Sequence, residues 1–324
     1  MRRLTTSLWI PFALGMSLFA WLMFADPPAP EAAKALPQAA GPLYLPNVAR
    51  DFSGRLERVN AYRAQAGLPL LLDSPDWSDG AARHAAYMVK TDQLVGSEDR
   101  VAFPQWYSDE GAQAAANSLL IVTDTLTLTN WDLVDIWMRA PFQALSLLDP
   151  ELRAAGLGVY QEADGGWQTA AALNVVSGWQ AGAPAGVTYP VVWPGRGARV
   201  TPRAYAGMDN PDPYLANGCA GAQGLPLLVQ LGDGSLSGEH LAAQDPTLIS
   251  SASGPLPHCA FSAAEYPANA NDSNYGKLLL DTRDAVVLLP LWPLAAGQTY
   301  TVSVSAVVNG APLAPIVWSF STAP

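Results

Sequence analysis

The chain has 324 residues, half of them apolar, with only 14% charged and a formal net charge of -11. That length suits two ordinary domains behind an N-terminal segment. An acidic surface poor in lysine repels phosphate backbones and anionic lipid, which argues against a nucleic-acid partner. The sequence also has no His-Glu-x-x-His, no phosphate-binding glycine loop, no dinucleotide fingerprint and no repeat at solenoid spacing.

Arg2 and Arg3 precede an apolar run from Leu8 to Ala25. A basic stretch before an apolar one is an export signal. The run is 18 residues long, close to the ~20 that cross a bilayer as a helix. Met23 stands where a cleavage site wants a small residue, and no Cys lies near the end of the run, so a lipoprotein anchor is excluded. Residues 1–25 are therefore read as an uncleaved membrane anchor, with a cleaved signal peptide as the alternative. Either places the remainder outside the cytoplasm. Residues 26–46, rich in Pro and Ala, read as a spacer.

Phe52, Leu56, Val59, Tyr62 and Ala66 recur at spacings of three and four, the face of one helix that Gly67 ends. Ser74-Pro75 opens a second helix, with Ala81, Ala82, Ala85, Met88 and Val89 on its buried side. Thr129 and Asp132 form the start of a third, whose inner face carries Trp131, Val134 and Met138 and which Pro141 terminates. Residues 156–160 and 170–176 read as short buried strands. Helices with strands between and after them suggest an α/β/α layering.

These segments resemble the CAP superfamily, also called SCP domains, which includes cysteine-rich secretory, antigen 5 and plant pathogenesis-related proteins and bacterial relatives. The residues that carry the resemblance are Leu56 to Arg63 with Gly67-Leu68-Pro69-Leu70, then Ala81 to Met88, then Trp137-Met138-Arg139-Ala140-Pro141. Leu148-Asp149-Pro150 followed by Gly156-Leu157-Gly158 completes the set. The resemblance implies a CAP-like sandwich over residues 47–180. It also implies a cleft in which two histidines and two acidic residues hold a divalent metal, imidazole and carboxylate being ligands that zinc prefers. In this sequence the matching positions are degenerate. Gly96 stands at the first histidine, Ala116 at the glutamate of a Gly-Glu-Asn segment in which only Asn117 survives, and Gln143 at the second histidine. No metal and no cofactor are expected.

The remaining acidic position falls at Glu98 or Asp99, where a solvated loop is the plainer role. His84, inside the second helix, reads as an ordinary helix histidine. Trp106 and Tyr107 sit toward the expected cleft, where aromatics stack on a sugar or an apolar ligand or simply close a small core under the loop. Cleft residues for a ligand would be Glu98, Trp106, Tyr107, Asn117 and Gln143.

Residues 178–186, rich in Gly and Ala, resemble a hinge. Beyond them the pattern changes to β runs at 188–193, 227–231, 285–289, 298–304 and 316–320, with an Asn309-Gly310 turn. The last of these resemble the closing hairpin of bacterial Ig-like modules, so residues 187–324 are expected to form an all-β Ig-like sandwich. The overall class is α+β. Cys219 and Cys259, an even pair in an exported chain, point to one disulfide, two buried thiols being the other reading. Gly234-Ser235-Leu236-Ser237-Gly238 only superficially resembles a nucleophile elbow, because the serine is not central, and His240 and His258 read as loop residues.

The sequence is thus that of an extracytoplasmic, non-enzymatic binder of an apolar small molecule, a cell-wall glycan or a surface protein. A hydrolase with an unrecognised site and a cell-surface adhesion module are the rivals.

Overall fold

The computed structural model describes residues 54–163, 165–236, 240–241, 247–268 and 274–324, residues 240 and 241 by their backbone pairing alone. The anchor, the spacer, Phe52 and Ser237-Gly238 lie outside the described residues. Among those described, no helix is long and apolar enough to cross a membrane.

The first half contains α1 (Glu57–Gln65), β1 (Leu72–Asp73), α2 (Pro75–Thr91), α3 (Asp109–Asn117), β2 (Ser118–Thr123), α4 (Asn130–Trp137), α5 (Pro141–Leu147), β3 (Ala154–Gln161) and β4 (Thr169–Asn174). The strands form one sheet in the order β1-β3-β4-β2, antiparallel except for the parallel β1–β3 pair. All six residues of β4 are buried, and its two faces have different partners. Ala170 and Ala172 pack with Ala81, Ala85 and Met88 of α2 and Ala114 of α3. Ala171 and Leu173 share a core with Val59 and Tyr62 of α1, Val134 and Trp137 of α4 and Phe142 of α5. The result is helices, sheet, helices.

Side-chain size sets the spacing of these layers. A Cβ on Gly156 would overlap Trp77 and Ser78, and one on Gly158 would overlap the backbone of Ala81 and Ala82. Two alternate glycines on β3 therefore let the α2 backbone lie directly on the strand. Local signals mark the helix boundaries as the sequence suggests. Gly67 has φ +73°, and Leu68 N–H donates to the Arg63 carbonyl at 2.9 Å. Thr129 and Asp132 form a reciprocal capping box.

Three expectations change. Trp131 is 47% exposed, its ring under the Arg58 guanidinium, and the buried face of α4 is Leu133, Val134 and Trp137. Pro141 opens α5, where its missing N–H costs nothing, and α4 has already ended at Trp137. Helices α3 and α5 and strand β2 are additional elements. The first two are short, nine and seven residues, too few turns for a repeat to stand out.

The C-terminal region contains β5 (Val191–Trp193), β6 (Arg199–Val200), β7 (Leu227–Gln230), β8 (His240–Leu241), β9 (Thr247–Ser251), β10 (Gly254–Pro255), β11 (His258–Phe261), α6 (Tyr275–Asp281), β12 (Ala285–Pro290), β13 (Thr299–Val304), β14 (Ala306–Val308), β15 (Ala311–Pro312) and β16 (Ile316–Thr322). Its sheets run β10-β9-β13-β16-β6, β11-β12-β7-β5 and β15-β14-β8. The region expected to be all-β holds one helix, α6, which buries Gly276, Leu279 and Leu280. Asn309 and Gly310, both at positive φ, turn the short β14–β15 hairpin. Strands β13 and β16 pair with each other directly, Tyr300 opposite Phe320 and Val302 opposite Trp318. The fold as a whole is α+β.

Every residue of β5, β7 and β12 is buried. Their core cluster also contains Tyr62, Trp137 and Phe142 from the helices and Tyr300, Val302 and Phe320 from the facing sheet. Tyr62 and Trp193 pack T-shaped with ring centroids 5.0 Å apart, a geometry that adds about 0.5–1.5 kcal/mol beyond burial. Phe142 contacts Phe261 and Tyr266. Gly178, in the hinge-like stretch, packs so closely that a Cβ would overlap the Ala154 carbonyl.

Arg63 joins α1 to the turn that follows α5. Fully buried, it donates to the carbonyls of Pro69 (2.9 Å), Leu147 (2.8 Å), Asp149 (2.9 Å) and Leu152 (3.1 Å). Burial lowers its pKa to about 10, against the pull of nearby Asp149. In the C-terminal region, Cys219 and Cys259 form a disulfide with Cα atoms 5.2 Å apart, tying a long loop to β11.

Candidate functional site: a degenerate cleft

The loop between α2 and α3 is stitched onto α2 by two side chains. His84 Nε2 lies 2.9 Å from the Val95 carbonyl, and Nδ1 lies 3.1 Å from Glu98 Oε1. A carbonyl only accepts, so Nε2 is the donor in that contact. The other Glu98 oxygen accepts from Ser108 N–H at 3.0 Å, and the Ser108 hydroxyl in turn caps α3 by accepting from Gly111 N–H at 2.9 Å. Both the His84 and the Glu98 side chains have no exposed surface.

This corrects two expectations. Glu98 is not a solvated loop carboxylate, and His84 is not an incidental helix residue: they form a buried pair. His84 lies three residues after Ala81 and four before Met88, both buried, so helical spacing already placed it on the inner face. Nothing local in the sequence pointed to Glu98 as its partner, because the loop folds back over fourteen positions.

Next to this pair, Tyr87 accepts from Asp99 N–H at 2.9 Å and packs edge-on against Phe103. Asp99 is exposed. Backbone N–H groups of Ala102 and Val101 hold its carboxyl below the ordinary range. Tyr107 donates to Asp109 at 2.8 Å, which raises its pKa, and the Arg100 guanidinium lies 5.2 Å from its ring. Trp106 is 38% exposed, with Lys90 Nζ 5.3 Å from its ring. Both aromatics belong to a loop folded on α2, and Trp106 keeps a partly open face.

The degenerate positions can now be placed. Gly96 is exposed, and a side chain there would sit 3.7 Å from the Ala115 carbonyl, so positions 96 and 116 share one neighbourhood. Asn117 turns its amide back to the Gln113 carbonyl (2.8 Å), while its own carbonyl accepts from Val175 (3.0 Å) and Val176 (3.2 Å). Gln143 lies in the first turn of α5, and its surroundings come from the C-terminal region. Asp209 Oδ2 accepts from Phe142 N–H at 2.7 Å, and the Gln143 N–H also bonds this carboxylate. One turn earlier, Arg139 Nε donates to the Ala204 carbonyl at 2.8 Å, and the Arg139 carbonyl accepts from Ala206 N–H at 3.1 Å. Sequence reasoning missed Asp209, which is 67 residues from Phe142.

Among the described residues, no group of three or more His, Cys, Asp or Glu is placed to hold a metal ion. The residues at the degenerate positions do not fit the family's metal: a glycine, an alanine and an amide supply no imidazole or carboxylate, and the one nearby histidine has both nitrogens engaged.

A two-sided α/β/α sandwich defines the class of module. The family model described as CAP, the cysteine-rich secretory protein family, matches residues 56–176, so the chain contains a CAP domain over that segment. No curated protein matches the chain. Among solved structures it is similar to CopC from Methylosinus trichosporium OB3b, at 12% identity and a TM-score of 0.22, covering 41% of this chain and 89% of that one. A likeness at that score bears on neither fold nor function.

Proposed function

We propose that this is an extracytoplasmic CAP-domain protein that binds and does not catalyse, followed by an Ig-like β module. Its ligand on the CAP side is an apolar or glycan-like molecule, or a surface protein, met without metal. The observation that carries this reading is the buried His84–Glu98 pair. The imidazole and the carboxylate nearest the old cleft are hydrogen-bonded to each other and to the backbone, with no exposed surface. They brace the 93–108 loop and present no lone pair to a substrate or an ion. Gly96, Ala116 and Gln143 add no replacement. The buried Cys219–Cys259 disulfide supports an oxidising, extracytoplasmic compartment.

The test is zinc binding by the parent chain and by a variant carrying Gly96→His, Ala116→Glu and Gln143→His. The parent is expected to stay metal-free in equilibrium dialysis. Zinc held by the parent at about micromolar Kd or tighter overturns the reading.

A further inference from the structure

The C-terminal region carries a groove that the CAP domain does not share. It lies between the β9–β10 hairpin and the segment that follows β12, with a volume of about 270 Å³. We propose that this groove is a binding site for a neutral saccharide chain, with Trp292 as its stacking platform. The inference is independent of the reading of the CAP cleft.

Three observations carry it. First, the Trp292 side chain is presented on rigid backbone. Trp292 is 65% exposed, yet Leu291 N–H donates to the Pro257 carbonyl at 2.9 Å and Leu294 N–H to the Arg203 carbonyl at 2.8 Å. An aromatic ring held open on a fixed backbone loses little entropy when a flat apolar face stacks on it.

Second, the floor is preset. Tyr300 is buried, its ring stacks on Phe320, and its hydroxyl accepts from Ala295 N–H at 2.7 Å. The phenol is thus committed internally, and with Pro257 and Pro290 it forms a stiff apolar base.

Third, the polar groups on the wall are all neutral. Ser251, Ser253 and Gln298 supply hydroxyls and an amide, and among the described residues no Asp, Glu, Lys, Arg or His lines the groove. In a chain of net charge -11, an uncharged groove selects against ionic ligands and for one whose own polarity is hydroxyl and amide. A sugar ring has both requirements: an apolar C–H face for Trp292 and hydroxyls for Ser251 and Gln298. The volume falls below the roughly 300–1,000 Å³ of enclosed small-molecule pockets, which suits a stretch of a longer chain lying across an open cleft.

The test uses the full chain with four probes in calorimetry and tryptophan-fluorescence titrations: chitotetraose, maltotetraose, polygalacturonate and a proline-rich decapeptide. At least one neutral tetrasaccharide is expected to bind. Trp292→Ala should weaken it about tenfold or more, Gln298→Ala should weaken it less, and Trp292→Phe should recover part of the loss. Because Trp292 is exposed, its variants should melt with the parent. The proposal is overturned if no neutral sugar binds at about 10 mM, if Trp292→Ala binds as the parent does, or if the anionic polymer or the peptide binds more tightly than both sugars. Sugar binding lost in Trp106→Ala but kept in Trp292→Ala would move the ligand to the CAP side, sinking this site and leaving the proposed function standing.

Discussion

Asp209 accepts the backbone N–H of Phe142 at 2.7 Å, so a carboxyl from the C-terminal region caps the first turn of α5. Burial pushes that carboxyl well above its ordinary 3.8, against the backbone N–H groups that favour its ionised form. A carboxyl raised in the native state is protonated while its unfolded counterpart ionises, so the fold loses stability as pH climbs from 3.8 and levels off once the native group ionises. Asp209→Asn keeps the acceptor and removes the charge. It should flatten that part of the slope in urea unfolding between about pH 4 and 8 and match or exceed the parent at neutral pH. Asp209→Ala should lose about 1 kcal/mol at low pH for the missing cap. An Asn variant with the parent's full slope would refute the assignment.

Gly158→Ala should be among the most damaging single-methyl changes in the chain. The added Cβ meets the α2 backbone at Ala81 and Ala82, not a side chain that can swing aside. We expect about 3 kcal/mol of destabilisation, read as a shift in the urea midpoint. A mild effect would show that α2 lifts off β3 easily.

Glu98→Ala should free the loop from α2, since it strips partners from His84 and from Ser108 N–H together. A loss of about 1–3 kcal/mol is expected, with faster tryptic cleavage at the exposed Arg100. Glu98→Gln keeps an acceptor for Ser108 and should fall between parent and Ala. Equal proteolysis of all three would mean the pair does not brace the loop.

Replacing Cys219 and Cys259 by Ser releases a loop closed over 40 residues. On the chain-entropy estimate this costs about 4 kcal/mol. Thermal unfolding of the parent with and without reductant should show a drop of the same size, and no shift under full reduction would contradict it.

The elements legible in the sequence were those with a strong period or an explicit punctuation mark. Helix α2 has a buried stripe and a Pro start, α4 a capping box, and β13 a clean alternation of Tyr300, Val302 and Val304 with polar residues. Short α3 and α5 were not, because seven to nine residues give too few turns for a repeat to stand out. Trp131 misled because a large aromatic at helical spacing looks like core, while Arg58 offered its ring a cationic partner at the surface. The sequence placed candidate cleft positions at Gly96, Ala116 and Gln143 by resemblance alone. The pairings around them were not legible, since His84–Glu98 spans a folded-back loop and Asp209 arrives from another region of the chain. Pairings of that kind are decided by tertiary packing, which leaves no local pattern.

The shared core has a practical corollary for anyone expressing the CAP segment alone. Tyr62, Phe142 and Leu147 are buried in the same cluster as Trp193, Phe261 and Leu228, and the first turn of α5 takes its cap from Asp209. A truncation after residue 180 would turn this inner wall into a greasy, uncapped exterior that favours self-association. For this protein the workable unit of cloning is larger than the unit of homology.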